Sequence, residues 1–60
     1  MTKKEARNLA RMNASALIET MSLDQLYGAG AVDAEDDANM QRMTDAQNWI
    51  AKLIRGSAKP

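Results

Sequence analysis

The stretch Glu19-Thr20-Met21-Ser22-Leu23-Asp24-Gln25-Leu26-Tyr27-Gly28-Ala29-Gly30-Ala31-Val32-Asp33 separates two long helical patterns, and its reading decides the fold. Ser22 and Gln25 have the spacing of a capping box, in which each side chain satisfies the other residue's free backbone N–H. Met21 and Leu26 stand where a hydrophobic staple would stand. The pattern favours a break at Ser22 followed by a short helix or turn over about 23–31; the alternative is one helix running on to Tyr27. Gly28 and Gly30 stop it in either case, because glycine is costly inside a helix and favoured just past its end.

Upstream, Thr2 and Glu5 repeat the capping-box spacing and start a helix over about 3–21. At about 100° per residue, Ala6, Leu9, Ala10, Ala14, Leu17 and Met21 gather on one side. Lys4, Asn8, Arg11, Ser15 and Glu19 lie on the other, so the first side is expected to face the core. Downstream, a last helix is predicted over about 33–55. Asp33, Glu35, Asp36 and Asp37 would occupy its first turn, where the macrodipole favours negative charge. Lys52 and Arg55 fit its last turn, and Gly56 fits the position after it. Met40, Met43, Ala46, Ile50, Leu53 and Ile54 form its apolar stripe, with Trp49 at the border. Thr44 and Gln47 offer an internal capping box and hence a kink. The tail 57–60 has no pattern and is expected to be disordered. The fold class is therefore all-α: one small domain over 1–60, two main helices in an antiparallel hairpin, and a short helix between them.

Sixty residues give such a hairpin little to bury. Of the 27 apolar residues, 11 are Ala and 5 are Met. At this size the gain from burial and the entropy of ordering nearly cancel, so self-association or a partner is the expected missing contribution. The charges point the same way. Lys and Arg number 8 and Asp and Glu number 8, yet they are sorted along the chain. Residues 1–18 carry +3, residues 19–45 carry −6 and residues 46–60 carry +3. In a hairpin the chain ends make a positive pole and the turn a negative one. Two such dipoles cancel when packed head to tail, which predicts an antiparallel homodimer that forms a helical bundle.

Composition excludes much chemistry. There is no Cys and no His, which removes disulfides, thiolates, the usual zinc ligands and the commonest acid–base catalyst. Ser15, Ser22 and Ser57 have no base to activate them, and Gly28-Ala29-Gly30 lacks the lysine of a phosphate loop. No catalytic residue and no cofactor is expected. Asp33, Glu35, Asp37 and Asn39 alternate like the start of a calcium loop, but Ala38 and Thr44 stand where glycine and the closing acid belong, so no metal is expected. The run Ala16-Leu17-Ile18 is too short for a secretory leader and nothing reaches the length of a membrane span. Asn48–Arg55 looks like a short interfacial anchor, but its apolar residues are the ones that a hairpin core requires. Met1 and the unpatterned tail read as a complete small reading frame, expected in the cytoplasm.

Met1-Thr2-Lys3-Lys4-Glu5, together with the length and the acidic turn before a second helix, resembles the Rop family of plasmid copy-number proteins. That resemblance implies an antiparallel dimer of helical hairpins that binds paired RNA loops through one helix face. Asn8, Ser15, Glu19 and Ser22 interrupt a matching heptad register here, and no binding residue is carried over.

Two functions are expected from these features. The first is a small regulator or inhibitor that binds another protein, of the kind carried as accessory proteins by phages and plasmids. Trp49, Tyr27, Met40 and Met43 would make its contacts, and Asp33, Glu35, Asp36 and Asp37 would supply electrostatic selectivity or mimic phosphates. The second is a nucleic-acid-binding accessory regulator that uses Lys3, Lys4, Arg7 and Arg11 on the first helix.

Overall fold

The computed structural model describes residues 1–57. Helix α1 spans Lys3–Thr20, α2 spans Leu23–Tyr27 and α3 spans Asp37–Ser57, and there is no strand among the described residues. The chain breaks at Ser22 as its capping box requires. Ser22 Oγ accepts from the Gln25 backbone N–H at 3.2 Å, and Gln25 Oε1 accepts from the Ser22 N–H at 3.1 Å. Thr2 and Glu5 form the same pair at the start of α1, at 3.1 and 3.2 Å. Gly28 and Gly30 then turn the chain with φ of 92° and 91°, a region that other residues enter only at a cost.

Two boundaries differ from the sequence expectation. Helix α3 begins at Asp37 rather than near Asp33. The Asp33 carboxylate accepts from the Glu35 N–H at 3.0 Å and its carbonyl accepts from the Asp36 N–H at 3.1 Å, which closes a turn before the helix. Asp side chains compete for nearby backbone donors in this way, so an acid-rich start delays the helix. Asp36 becomes the cap, with its carboxylate accepting from the Asn39 N–H at 3.0 Å. At the other end α3 runs through Gly56 to Ser57, whose hydroxyl donates to the Ile54 carbonyl at 2.7 Å. Gly56 is thus inside the helix and Ser57 belongs to it; the rest of the expected tail, 58–60, lies outside the described residues. The helix also continues through Thr44 and Gln47 without a second start, and the Gln47 amide is engaged with the end of α1.

That engagement holds the hairpin together. Gln47 Nε2 donates to the Ile18 carbonyl at 2.6 Å and to the Met21 carbonyl at 2.8 Å. These carbonyls belong to the end of α1, where backbone acceptors run out of partners within the helix. Met21 is no glycine and cannot close a left-handed cap cheaply, so a side chain from the opposite helix supplies the donors. Thr20 Oγ1 adds bonds to the Ala16 and Leu17 carbonyls at 3.3 and 3.1 Å. Farther along, Ser15 Oγ donates to the Ala51 carbonyl at 2.8 Å. Ser15 meets Ala51 while Ile18 and Met21 meet Gln47, so α1 and α3 run antiparallel.

Among the described residues, Ser15, Met43, Gln47 and Ala51 are buried. This corrects the expected orientation of α1. The side that faces α3 is centred on Ser15, with Asn8, Ala14, Ile18 and Met21 half-buried around it, while Leu17 and Leu9 from the expected apolar stripe are 65% and 49% exposed. Ser15 and Ala51 are small enough for the helix backbones to approach at their crossing. No buried side-chain polar atom among the described residues lacks a hydrogen bond. The short helix α2 lies against α3, and the Tyr27 hydroxyl donates to the Met43 carbonyl at 3.1 Å. The described chain measures 46 × 18 × 12 Å with a radius of gyration of 14.0 Å. A compact chain of this length would have a radius near 10 Å. The molecule is a slab with two broad sides and almost no interior.

Candidate protein-binding surface

The Glu19–Arg55 ion pair, at 2.9 Å, identifies one broad side of the slab. Helical side chains lean toward the N-terminus of their own helix. In an antiparallel pair Glu19 and Arg55 therefore lean toward each other, which lets them meet although they stand on different levels.

Leu17 and Leu53 each precede a member of that ion pair by two residues. Two residues rotate a helix by about 200°. Both leucines consequently lie on the other broad side, and both are exposed, at 65% and 56%. Ala10 stands seven residues before Leu17 and Ala46 seven before Leu53, which returns them to the same two stripes. Both alanines are exposed, and Ile50 on the same side is half-buried. The hairpin thus has a side carrying the ion pair and the 47% exposed Met12, and an apolar side of Leu17, Leu53, Ala10 and Ala46 flanked by Lys3 and Arg42. Trp49 precedes Leu53 by four residues and is rotated about 40° outward from it, at the rim of the apolar side. It is 62% exposed.

The other expected contact residues are placed differently. Met43 is buried at 8% exposure and Met40 is half-buried, so both belong to the packing of α3 and not to a free edge. Tyr27 is 39% exposed, but its hydroxyl already serves the Met43 carbonyl. Asp33, Glu35, Asp36 and Asp37 are all exposed at the turn end, where Asp33 and Asp36 also organise the backbone. No cluster of three or more acids among the described residues is placed to hold a metal ion. Leu17 and Leu53 were not singled out from the sequence as contact residues. Their signal was present in the stripes, but a stripe does not say whether it faces inward or outward.

Of the basic residues, Lys4, Arg7 and Arg11 line a recess of about 200 Å³ with Asn8 and Ser57, at the open end of the hairpin. Ser57 ends α3, so these cations stand beside the negative end of its macrodipole, which they offset. Lys3 is exposed and does not line the recess. No helix is long and apolar enough to cross a membrane among the described residues.

Comparisons with protein-family models, with characterised proteins and with solved structures find no match for this chain.

Proposed function

We propose that this chain is a non-enzymatic helical protein that regulates or inhibits another protein by binding it, with Trp49 as the anchor. The observation that carries this reading is the exposure of Trp49, 62%, on the rim of an apolar side. Tryptophan buries a large area on contact and is among the residues that dominate binding energies. Among the described residues the interior is made of Ser15, Met43, Gln47 and Ala51, and Trp49 stands outside it. The acidic turn end supplies a field that favours a basic surface on the partner. A phage or plasmid accessory protein is the setting that such a small regulator fits.

The test compares wild type with Trp49→Ala as immobilised bait, followed by titration of the captured protein against both. Binding should weaken by tenfold or more while the helical circular dichroism of the variant is unchanged. Loss of helicity would show that Trp49 holds the fold, and unchanged binding would remove it as the anchor.

A second reading rests on the basic recess. Lys4, Arg7 and Arg11 converge there, which suits the phosphates of a nucleic acid, as the sequence alternative supposes. Its test is a titration with duplex RNA and DNA at low and high salt. Binding that falls steeply with salt and is lost in Arg7→Glu and Arg11→Glu supports it; no binding at low salt excludes it.

A further inference from the structure

We infer that the recess at the open end of the hairpin is a site for the phosphate monoester of a small molecule, a compact dianion, and not for the backbone of a duplex. The inference rests on the second reading above, that the recess receives phosphate, and it names a different carrier.

Lys4, Arg7 and Arg11 are spaced i, i+3 and i+7, and the same stripe of α1 continues at Ser15 and Ile18. Ser15 and Ile18 face α3, where Ser15 donates to the Ala51 carbonyl at 2.8 Å and the Ile18 carbonyl accepts from Gln47. The antiparallel register sets Ser57, six residues after Ala51, level with Leu9, six residues before Ser15. The inward stripe of α1 thus arrives at the last turn of α3 carrying three cations. They line a recess of about 200 Å³ with Asn8 and Ser57. Among the described residues none of the three cations takes part in an ion pair. No acid among the described residues lines the recess, and Glu5, the acid of the first turn, is held at the N-cap by the Thr2 N–H at 3.2 Å.

Charge and volume select the ligand. Three cations face about half a negative charge from the end of α3, which leaves a surplus of roughly two and a half. A phosphate monoester carries about −1.5 to −2 at pH 7 and comes near to cancelling that surplus. Each diester of a nucleic-acid backbone carries a single negative charge and does not. The guanidinium forks of Arg7 and Arg11 match phosphoryl oxygens in pairs, and Lys4 adds a point charge. Pockets for drug-sized ligands hold about 300–1,000 Å³. This recess is smaller, so it takes the phosphoryl group and few atoms beyond it. The whole chain balances 8 cations against 8 acids, so no net field draws a long polyanion to it.

An NMR titration of the isotope-labelled full chain tests the site. Glycerol phosphate and a mononucleotide serve as monoesters and dimethyl phosphate as the diester, all at one ionic strength. Both monoesters should shift the backbone amide signals of Arg7, Arg11 and Ser57 with comparable affinity, and the diester should bind at least tenfold more weakly. Arg7→Gln and Arg11→Gln should each weaken the monoesters at least tenfold. Helical circular dichroism should be unchanged in both, since these side chains are exposed. Arg42→Gln, on α3 outside the recess, should leave the affinity as it is. No shift at tens of millimolar monoester overturns the inference, as does equal binding of the diester, or binding that both arginine variants keep. If the monoesters fail while duplex RNA or DNA with unphosphorylated ends binds at low salt, the inference falls and the second reading stands. Monoester binding without duplex binding is the reverse case.

Discussion

Gln47 of α3 donates to the carbonyls of Ile18 and Met21, at 2.6 and 2.8 Å, so that a side chain from one helix terminates the other. Gln47 is 6% exposed. The bond pair serves both secondary and tertiary structure: it adds donors to the carbonyls at the end of α1 and fixes the register in which α3 packs on it.

Gln47→Ala should therefore be the most damaging polar truncation in the hairpin. It removes the amide donor from the Met21 carbonyl and leaves the Ile18 carbonyl only the 3.4 Å bond from the Met21 N–H, a cost of about 1–3 kcal/mol. For a domain of this size that corresponds to a fall of roughly 4–8 °C in Tm per kcal/mol, readable by thermal circular dichroism. Gln47→Glu should be worse than Gln47→Ala above neutral pH, since a carboxylate would face carbonyl oxygens.

Ser15→Leu is expected to do more harm than Ser15→Ala. Ser15 and Ala51 are both 0% exposed, so a large side chain has no room between the backbones and costs about 1–3 kcal/mol. Ser15→Ala loses one hydrogen bond, about 1 kcal/mol, and keeps the close approach. Urea midpoints of the two variants should fall in that order.

The Glu19–Arg55 pair should contribute little. Both side chains are well exposed, at 38% and 45%, and water screens them. A double-mutant cycle with Glu19→Gln and Arg55→Gln should give a coupling below about 1 kcal/mol, smaller still at high salt.

Two glycines should respond in opposite directions to the same change. Gly28 has φ of +92° with open space around it, so Gly28→Ala pays for backbone strain alone, about 1–2 kcal/mol. Gly56 lies inside α3, also with open space around it. Gly56→Ala should stabilise the hairpin by about 0.5–1 kcal/mol. Equal effects at the two positions would contradict the helix boundary at Ser57.

What the sequence by itself determined is local. The Thr2–Glu5 and Ser22–Gln25 boxes lie within four residues, and each pair can satisfy its own backbone donors with no help from the rest of the chain. The break at Ser22, the short α2 and the turn at Gly28 and Gly30 followed from such contacts, as did the all-helical architecture. The start of α3 was less legible, because four neighbouring acids offer several caps and only the turn closed by Asp33 selects Asp36.

The orientation of α1 belongs to the tertiary structure. The pattern of Leu9 and Leu17 suggested an inward apolar side, yet both are exposed and the helix turned Ser15 inward. Two facts that no local window contains decided this: the fit of Ser15 against Ala51, 36 residues away, and the reach of Gln47 to the end of α1. A helical wheel ranks the sides of one helix by polarity, but it cannot register hydrogen bonds that only a docked partner supplies. The exposure of Leu17, Leu53 and Trp49 follows from that choice, and with it the surface through which this protein is proposed to bind.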